Sequence, residues 1–458
     1  LAARARDRSV LCKTTPVVCS WAHHRNLAAG IPDTPPVRIL LSFENFIGFG
    51  GSETYNLTLA REFERLGHDA TIYSPNHGEM AEYARAQGIR VLSYSQLPAT
   101  CDLVIASDAA TCHELAGRYT DGITLMVAHS ADHMLQAPPQ LPDQCDGVIV
   151  LNDRVGRAVE ARAWHAPLLR LCQPLALERF WNVGACRPRA ESALVSTHYV
   201  DGPRAHVIEE ACRANGLRVS WIGATTQSTP TPELAIADAD LVIGLGRTAL
   251  EAMAAGRAAY VYGVAGGDGW VTAGRYAAME ADGFAGTAFP DVHIDVTRMS
   301  AELGEWTATM GEYNRDLASA HHGVREHAVA VIGFVRELAP AAGPAPVTPS
   351  EELARLIRLH WRSDRRATEN EREASRLRAE LADRDLRVGA LREQLADRDR
   401  RVGALHEQLA DRDRRVGALH EQLVARQAEY DRLLDTRRYR LAARLAAPLD
   451  RWRIGRGH

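Results

Sequence analysis

Residues Ala237–Thr272 read ADADLVIGLGRTALEAMAAGRAAYVYGVAGGDGWVT, and this stretch decides the fold. Leu241, Val242 and Ile243 form a short apolar run that Gly244 and Gly246 interrupt. From Arg247 and Thr248 onward, Leu250, Met253 and Ala254 recur at helical spacing. That is strand, glycine turn, helix. Arg257 to Val264 reads as a second buried strand, and Gly266-Gly267-Asp268-Gly269 after it predicts a second glycine turn. Both turns then fall at the carboxyl ends of parallel strands, where open α/β sheets hold their ligands. A helix starting near Thr248 offers free N–H groups and the positive end of its dipole to an anion, most naturally a diphosphate. Glu251, one turn in, is either a carboxylate that steadies the helix dipole or one left over for ribose or sugar hydroxyls.

Working upstream, Val37 to Phe43 (VRILLSF) is an apolar strand followed by Gly48, Gly50 and Gly51, then by Leu57, Leu59, Ala60 and Phe63 at helical spacing up to Gly67. Ala70 to Tyr73 is the next strand. This is a βαβ unit whose glycine spacing is not G-x-G-x-x-G, so a dinucleotide-binding domain fits poorly. Further short strands at 91–93, 103–106, 124–128 and 147–151 alternate with helical segments, which predicts a parallel sheet covered on both faces. His129 directly follows the strand TLMVA, on the ligand side by the same rule.

Two of these pieces, LEAMAAGRAAYVY and GGSETYNLTLAREFERLGH, resemble the GT-B glycosyltransferases that use nucleotide sugars. The resemblance covers about Val37 to Leu338 and implies two Rossmann-like domains around a cleft: 37–185 on the acceptor side and 186–338 for the donor nucleotide. LCQPLALERF (Leu171–Phe180) is similar to the family's segment before the hinge and places the boundary between Arg179 and Glu191. In the family's terms Glu251 maps onto the second glutamate of a Glu-x7-Glu pair and binds the ribose. The first position is Ile243, a departure that leaves Asp268 as the substitute contact to the donor sugar. Gly50 and Gly51 would lie against the donor phosphates. Arg204, with Arg247 standing in for the family's lysine, would hold the diphosphate together with Gly246, Thr248, Gly266 and Gly267, and His129 would meet the sugar or acceptor. The implied reaction transfers a sugar from a nucleotide-diphosphate donor to a cell-surface glycan or lipid-linked acceptor with retention. It needs no metal and no cofactor beyond the donor.

A net charge of -4 gives no general attraction to nucleic acid, so no nucleic-acid partner is expected. Lys13 is the single lysine, and phosphate contacts must come from arginine, backbone amides or helix ends. The 8 cysteines form no C-x-x-C pair, which argues against a structural zinc or a disulfide scaffold and suits a reducing cytoplasm. LAARARDRSVLCKTTPVVC (Leu1–Cys19) is arginine-rich without an apolar signal core, and residues 1–36 read as a disordered extension.

PAAGPAPVTPS (Pro340–Ser350) marks a proline-rich linker, 339–350. Beyond it LADRD-RVGAL-EQ recurs every two heptads, with Val388, Leu391, Leu395, Val402, Leu405, Leu409, Val416, Leu419 and Leu423 at a and d positions. Arginine takes every second d position, at Arg384, Arg398, Arg412 and Arg426. The pattern predicts a long coiled coil over 351–436 and a homodimer through it. Residues 437–458 interleave arginines with Tyr439, Leu441, Leu445, Leu449 and Trp452, a basic amphipathic tail suited to peripheral contact with an anionic membrane. Two readings remain open: a glycosyltransferase in the cytoplasm at the inner membrane face, or a catalytically degenerate GT-B head that binds nucleotide or glycan on a coiled-coil scaffold. A sugar-nucleotide epimerase finds no acid/base pair in the sequence.

Overall fold

The computed structural model describes residues 35–130, 133–139, 141, 144–162, 166–181, 184–196, 200, 202–223, 229–290, 293–338 and 349–450. Nearly all of the expected N-terminal extension and linker, and residues 451–458 of the tail, lie outside the described residues. Seven short apolar runs form strands β1 (Arg38–Ser42), β2 (Asp69–Tyr73), β3 (Arg90–Leu92), β4 (Leu103–Ala106), β5 (Ile123–Ala128), β6 (Gly147–Val150) and β7 (Leu168–Arg170). They make one parallel sheet in the order β3-β2-β1-β4-β5-β6-β7. Helices α1 (Gly51–Arg65), α2 (Glu79–Ala86), α3 (Ala109–Arg118) and α4 (Asp153–Glu160) lie in the connections. Successive residues of β1 enter opposite cores. Ile39 and Leu41 pack with Ile72, Ile105 and Val127, whereas Leu40 packs with Tyr73, Val104 and Met126. Burial on both faces is why these strands read as unbroken apolar runs.

The second sheet contains β8 (Ser192–Ser196), β9 (Arg218–Ile222), β10 (Leu241–Gly244), β11 (Ala258–Gly263) and β12 (Gly266–Trp270) in the order β9-β8-β10-β11-β12. The first four are parallel and β12 is antiparallel to β11. Helices α5 (Gly202–Ala214), α6 (Pro232–Ala237), α7 (Arg247–Ala254), α8 (Tyr276–Ala281), α9 (Val296–Gly304) and α10 (Ala308–His321) complete this lobe. Two Rossmann-like α/β lobes followed by a long helix are the architecture the sequence leads one to expect.

One expectation is corrected here. Gly266–Gly269 is a strand, not a ligand-facing glycine turn; the chain reverses at Val264–Ala265 and pairs Tyr260 with Trp270. Trp270 fixes the reversal by donating its Nε1–H to the Glu302 carbonyl at 2.7 Å and standing edge-on to Tyr260. Gly267 is needed for close packing, since a Cβ there would come within 2.5 Å of Ile294 Cδ1.

The chain also changes lobe earlier than the expected 179–191. Leu175 and Phe180 already belong to the second lobe's core. The return crossing follows α10, and α11 (Val324–Glu337) brings Val324, Ala328 and Val331 into the first lobe's core, so this helix belongs with the first lobe. The two crossings lie side by side: Leu175 and Gly323 form a parallel bridge, Leu175 N–H donates to the His322 carbonyl at 2.8 Å, and Val324 N–H donates to the Leu175 carbonyl at 3.1 Å.

The described residues from His360 onward form a unit of their own. Helix α12 (Pro349–Leu434) runs unbroken for 86 residues, through Gly389, Gly403 and Gly417. At 1.5 Å per residue that is roughly 130 Å. Ion pairs one turn apart recur with the sequence repeat: Arg387–Asp383 at 2.8 Å, Arg401–Asp397 at 2.9 Å and Arg415–Asp411 at 3.0 Å. Each adds about 0.3–0.5 kcal/mol to the helix and helps offset the glycines. Val388, Leu391, Leu395 and their repeats stay exposed. Helix α13 (Arg437–Asp450) follows. Among the described residues no helix is long and apolar enough to cross a membrane.

Candidate functional site

The two lobes enclose a cavity of about 250 Å³. One wall is a face of α1: Gly50, Gly51, Thr54, Thr58, Arg61 and Arg65 recur there at three- and four-residue spacing. Gly50 opens the helix in an extended conformation, and Thr54 turns back on its carbonyl with N–H at 3.0 Å and hydroxyl at 2.7 Å. The opposite wall comes from the carboxyl ends of three second-lobe strands: Ser196 ending β8, Ile222 ending β9 with Gly223 after it, and Leu245, Arg247, Thr248 and Glu251 after β10.

Backbone sterics explain the glycines after β10. A Cβ on Gly244 would lie 2.6 Å from Thr248 Cγ2 and 2.7 Å from the Ser196 carbonyl oxygen. Gly246 has φ 55° and ψ -123°, a combination open to glycine and costly for other residues. Its N–H donates to the Phe284 carbonyl at 2.8 Å, and Thr248 N–H donates to the Leu245 carbonyl at 3.1 Å. Two amides of the expected anion cradle are therefore already used, although the start of α7 does line the cavity. Thr248 Oγ1 and Ser196 Oγ lie 3.3 Å apart on the same wall.

Arg247 is turned back onto its own helix. Its Nε donates to Glu251 Oε1 at 2.9 Å and its Nη1 to the Pro174 carbonyl at 3.2 Å. Both side chains are close to nine-tenths covered. Burial pulls Arg247 down and pushes Glu251 up, each toward neutrality, while their attraction opposes both shifts. The pair is charged: arginine stays protonated in proteins, and its guanidinium at 2.9 Å favours the ionised form of Glu251 against the burial that disfavours it. Glu251 Oε2 is uncommitted among the described residues, so the carboxylate can hold Arg247 and still accept from a ligand hydroxyl.

The remaining expected residues lie elsewhere. His129 follows β5 off the cavity wall, edge-on to Tyr55 with ring centroids 5.1 Å apart. Its Nε2 is covered and has no hydrogen-bond partner among the described residues, and burial pushes its pKa down to about 3, so the ring is neutral. Asp268 is fully buried and accepts from the N–H groups of Ala288 and Phe289, both at 3.3 Å; it braces a loop instead of reaching a sugar. Gly266 and Gly267 belong to β12, and Arg204 sits on α5; none of these lines the cavity. The structure thus gathers Gly50, Gly51, Arg247, Thr248 and Glu251 and leaves His129, Arg204, Gly266, Gly267 and Asp268 outside. Ile243 is fully buried in the second lobe's core with Val195 and Tyr260. A glutamate could not occupy that place without burying a charge.

Several site residues escape sequence reasoning. Arg61, Arg65 and Thr58 carry one weak signal, their spacing from Gly50–Gly51 along one helix face. Glu53, in the first turn of α1, folds against Gly50, and desolvation raises its carboxyl to about 7. Two buried histidines serve the crossings. His327 links the Cys172 carbonyl (Nδ1, 3.0 Å) to the Tyr55 hydroxyl (Nε2, 2.9 Å). His322 links the Gln173 carbonyl (Nδ1, 2.8 Å) to the Tyr276 hydroxyl (Nε2, 2.9 Å). Burial lowers both to about 4, which keeps each ring neutral, donating to the carbonyl and accepting from the tyrosine.

No family model matches the chain, and no curated protein matches it. Solved structures similar to it include Anabaena Alr3699/HepE in complex with UDP, at 14% identity and a TM-score of 0.48, covering 66% of this chain and 100% of that one. A glycosyltransferase from Rickettsia africae ESF-5 is similar at 12% identity and 0.45, with 67% and 99% covered. The calicheamicin glycosyltransferase CalG4 is similar at 16% and 0.39, with 67% and 100% covered.

Proposed function

We propose that the chain is a glycosyltransferase that moves a sugar from a nucleotide-diphosphate donor to a cell-surface glycan or lipid-linked acceptor, with retention and without a metal ion. One observation carries this reading: the start of α7 and the glycine turn of α1 face one cavity between two Rossmann-like lobes. In this reading the helix start and a guanidinium stabilise charge building on the leaving diphosphate. Glu251 positions the ribose through Oε2. The exposed heptad stripe of α12 supports a homodimer through a coiled coil, and the arginines and leucines of α13 support attachment at the inner membrane face. The test is donor hydrolysis by the purified full chain over a panel of nucleotide sugars with EDTA present. Release of nucleotide from one donor supports the reading, and absence of turnover with every donor removes it.

The second reading, a degenerate head that binds nucleotide or glycan without turnover, is favoured by Ile243. With no carboxylate at that position, the donor sugar loses the contact that the resemblance implies. Tight nucleotide binding in the absence of any hydrolysis would select it.

A further inference from the structure

We propose that Arg61, on the first lobe's α1, is the residue that binds the donor diphosphate; the proposal rests on the nucleotide-sugar reading above. Among the described residues four guanidinium groups line the cavity: Arg61, Arg65, Arg179 and Arg247. Three are committed. Arg247 is held by Glu251 and the Pro174 carbonyl. Arg179 donates to Glu233 at 2.6 Å and to the Pro230 carbonyl at 2.8 Å. Arg65 bridges Glu178 and Glu62. Arg61 alone of the four has no hydrogen bond or ion pair with any described residue.

Its position suits an anion. Arg61 lines the cavity on the same face of α1 as Thr54 and Thr58. The facing wall holds the positive end of the α7 dipole and the hydroxyls of Ser196 and Thr248. The carboxylates of the lining, Glu178 and Glu251, are each already paired with another guanidinium, and a diphosphate would supply the negative charge that Arg61 and the positive helix end lack between them, with donors on both sides. A guanidinium also binds phosphate oxygens in a bidentate fork, which fits a chain whose single lysine is Lys13. Using Arg247 instead would break two good hydrogen bonds.

The test measures binding by calorimetry to the full chain, to Arg61→Ala and to Arg61→Lys. The probes are UDP, GDP, dTDP and ADP, their parent nucleosides, and inorganic pyrophosphate. Arg61 sits on a helix surface and alanine favours helix, so the variant is expected to melt at the wild-type temperature. The expected result is at least tenfold weaker diphosphate binding in Arg61→Ala, partial recovery in Arg61→Lys, and nucleoside affinity within twofold of wild type. Unchanged diphosphate affinity overturns the proposal and leaves the transferase reading standing, and an equal loss for nucleoside and diphosphate overturns it as well. Pyrophosphate bound through Arg61 while no nucleotide binds would keep the anion site and remove the nucleotide-sugar reading. Binding of neither removes both.

Discussion

Replacing Glu251 with alanine tests whether its pair with Arg247 holds the second lobe together. The change removes the acceptor 2.9 Å from Arg247 Nε and leaves the guanidinium covered, with the Pro174 carbonyl as its remaining partner. A buried charge stripped of its counterion costs roughly 3–5 kcal/mol, whereas replacing both partners by apolar groups of similar size is near neutral. Glu251→Ala should therefore destabilise the second lobe by about 3 kcal/mol or more, and the double change Arg247→Met with Glu251→Leu should recover most of it. Hydrogen exchange at Leu241–Gly244 reads that lobe directly, which avoids treating a chain of several units as two-state. Opening free energies of Glu251→Ala within about 1 kcal/mol of wild type would refute the reasoning, since surface pairs show losses of that size. The result also controls any binding assay on this residue, because a loss of affinity counts as ligand contact only where the lobe remains folded.

Other expectations follow from single features. Glu53 has its carboxyl raised from 4.5 to about 7, so the folded state binds the proton more tightly. Stability from this group is full below about pH 4.5 and is lost as pH rises through 7, by at most about 3 kcal/mol; the change in stability between pH 5 and pH 8 should differ between wild type and Glu53→Gln by up to that amount, the buried histidines titrating alike in both. Gly246→Ala meets open space, the nearest atom being the Gly283 carbonyl oxygen at 3.8 Å, but forces a Cβ into φ 55°. It should cost about 1–3 kcal/mol and weaken nucleotide binding by calorimetry through a displaced α7 start. Tyr55→Phe leaves His327 Nε2 covered and unbonded, at a cost of about 1–3 kcal/mol, read as a lower melting temperature. Deleting residues 351–436 should lower the mass measured by light scattering to that of a monomer, and an unchanged mass would exclude the coiled-coil dimer.

Much of the fold was legible because burial leaves a pattern. β1, β4, β5, β10 and β11 are apolar runs bounded by turn residues, and the Gly67 end of α1 appears at φ 86° as a left-handed cap should. The site was half legible. Gly50, Gly51, Thr248 and Glu251 were visible because glycine turns and helix starts are local. Arg247 was readable as a cation, and its i,i+4 pairing with Glu251 is a local one, but its bond to the Pro174 carbonyl was hidden because 73 residues separate the two. The glycines of β12 misled because glycine marks a tight turn and close strand packing equally well, and Ile294, which crowds Gly267, lies far along the chain. The lobe boundary was misplaced because Leu175 and Phe180 look alike in either core.

The side-by-side crossings limit how the lobes can move. With Leu175 bridged to Gly323 and each flanking histidine gripping a carbonyl, the lobes share one pivot, and sliding would break all of these bonds at once. Arg247 ties the start of α7 to Pro174, beside that pivot. Displacement in a swinging pair grows with the lever arm, so the anion end of the cavity travels least and the distant rim travels most. A ligand gripped near the fulcrum would stay seated while the outer mouth opens.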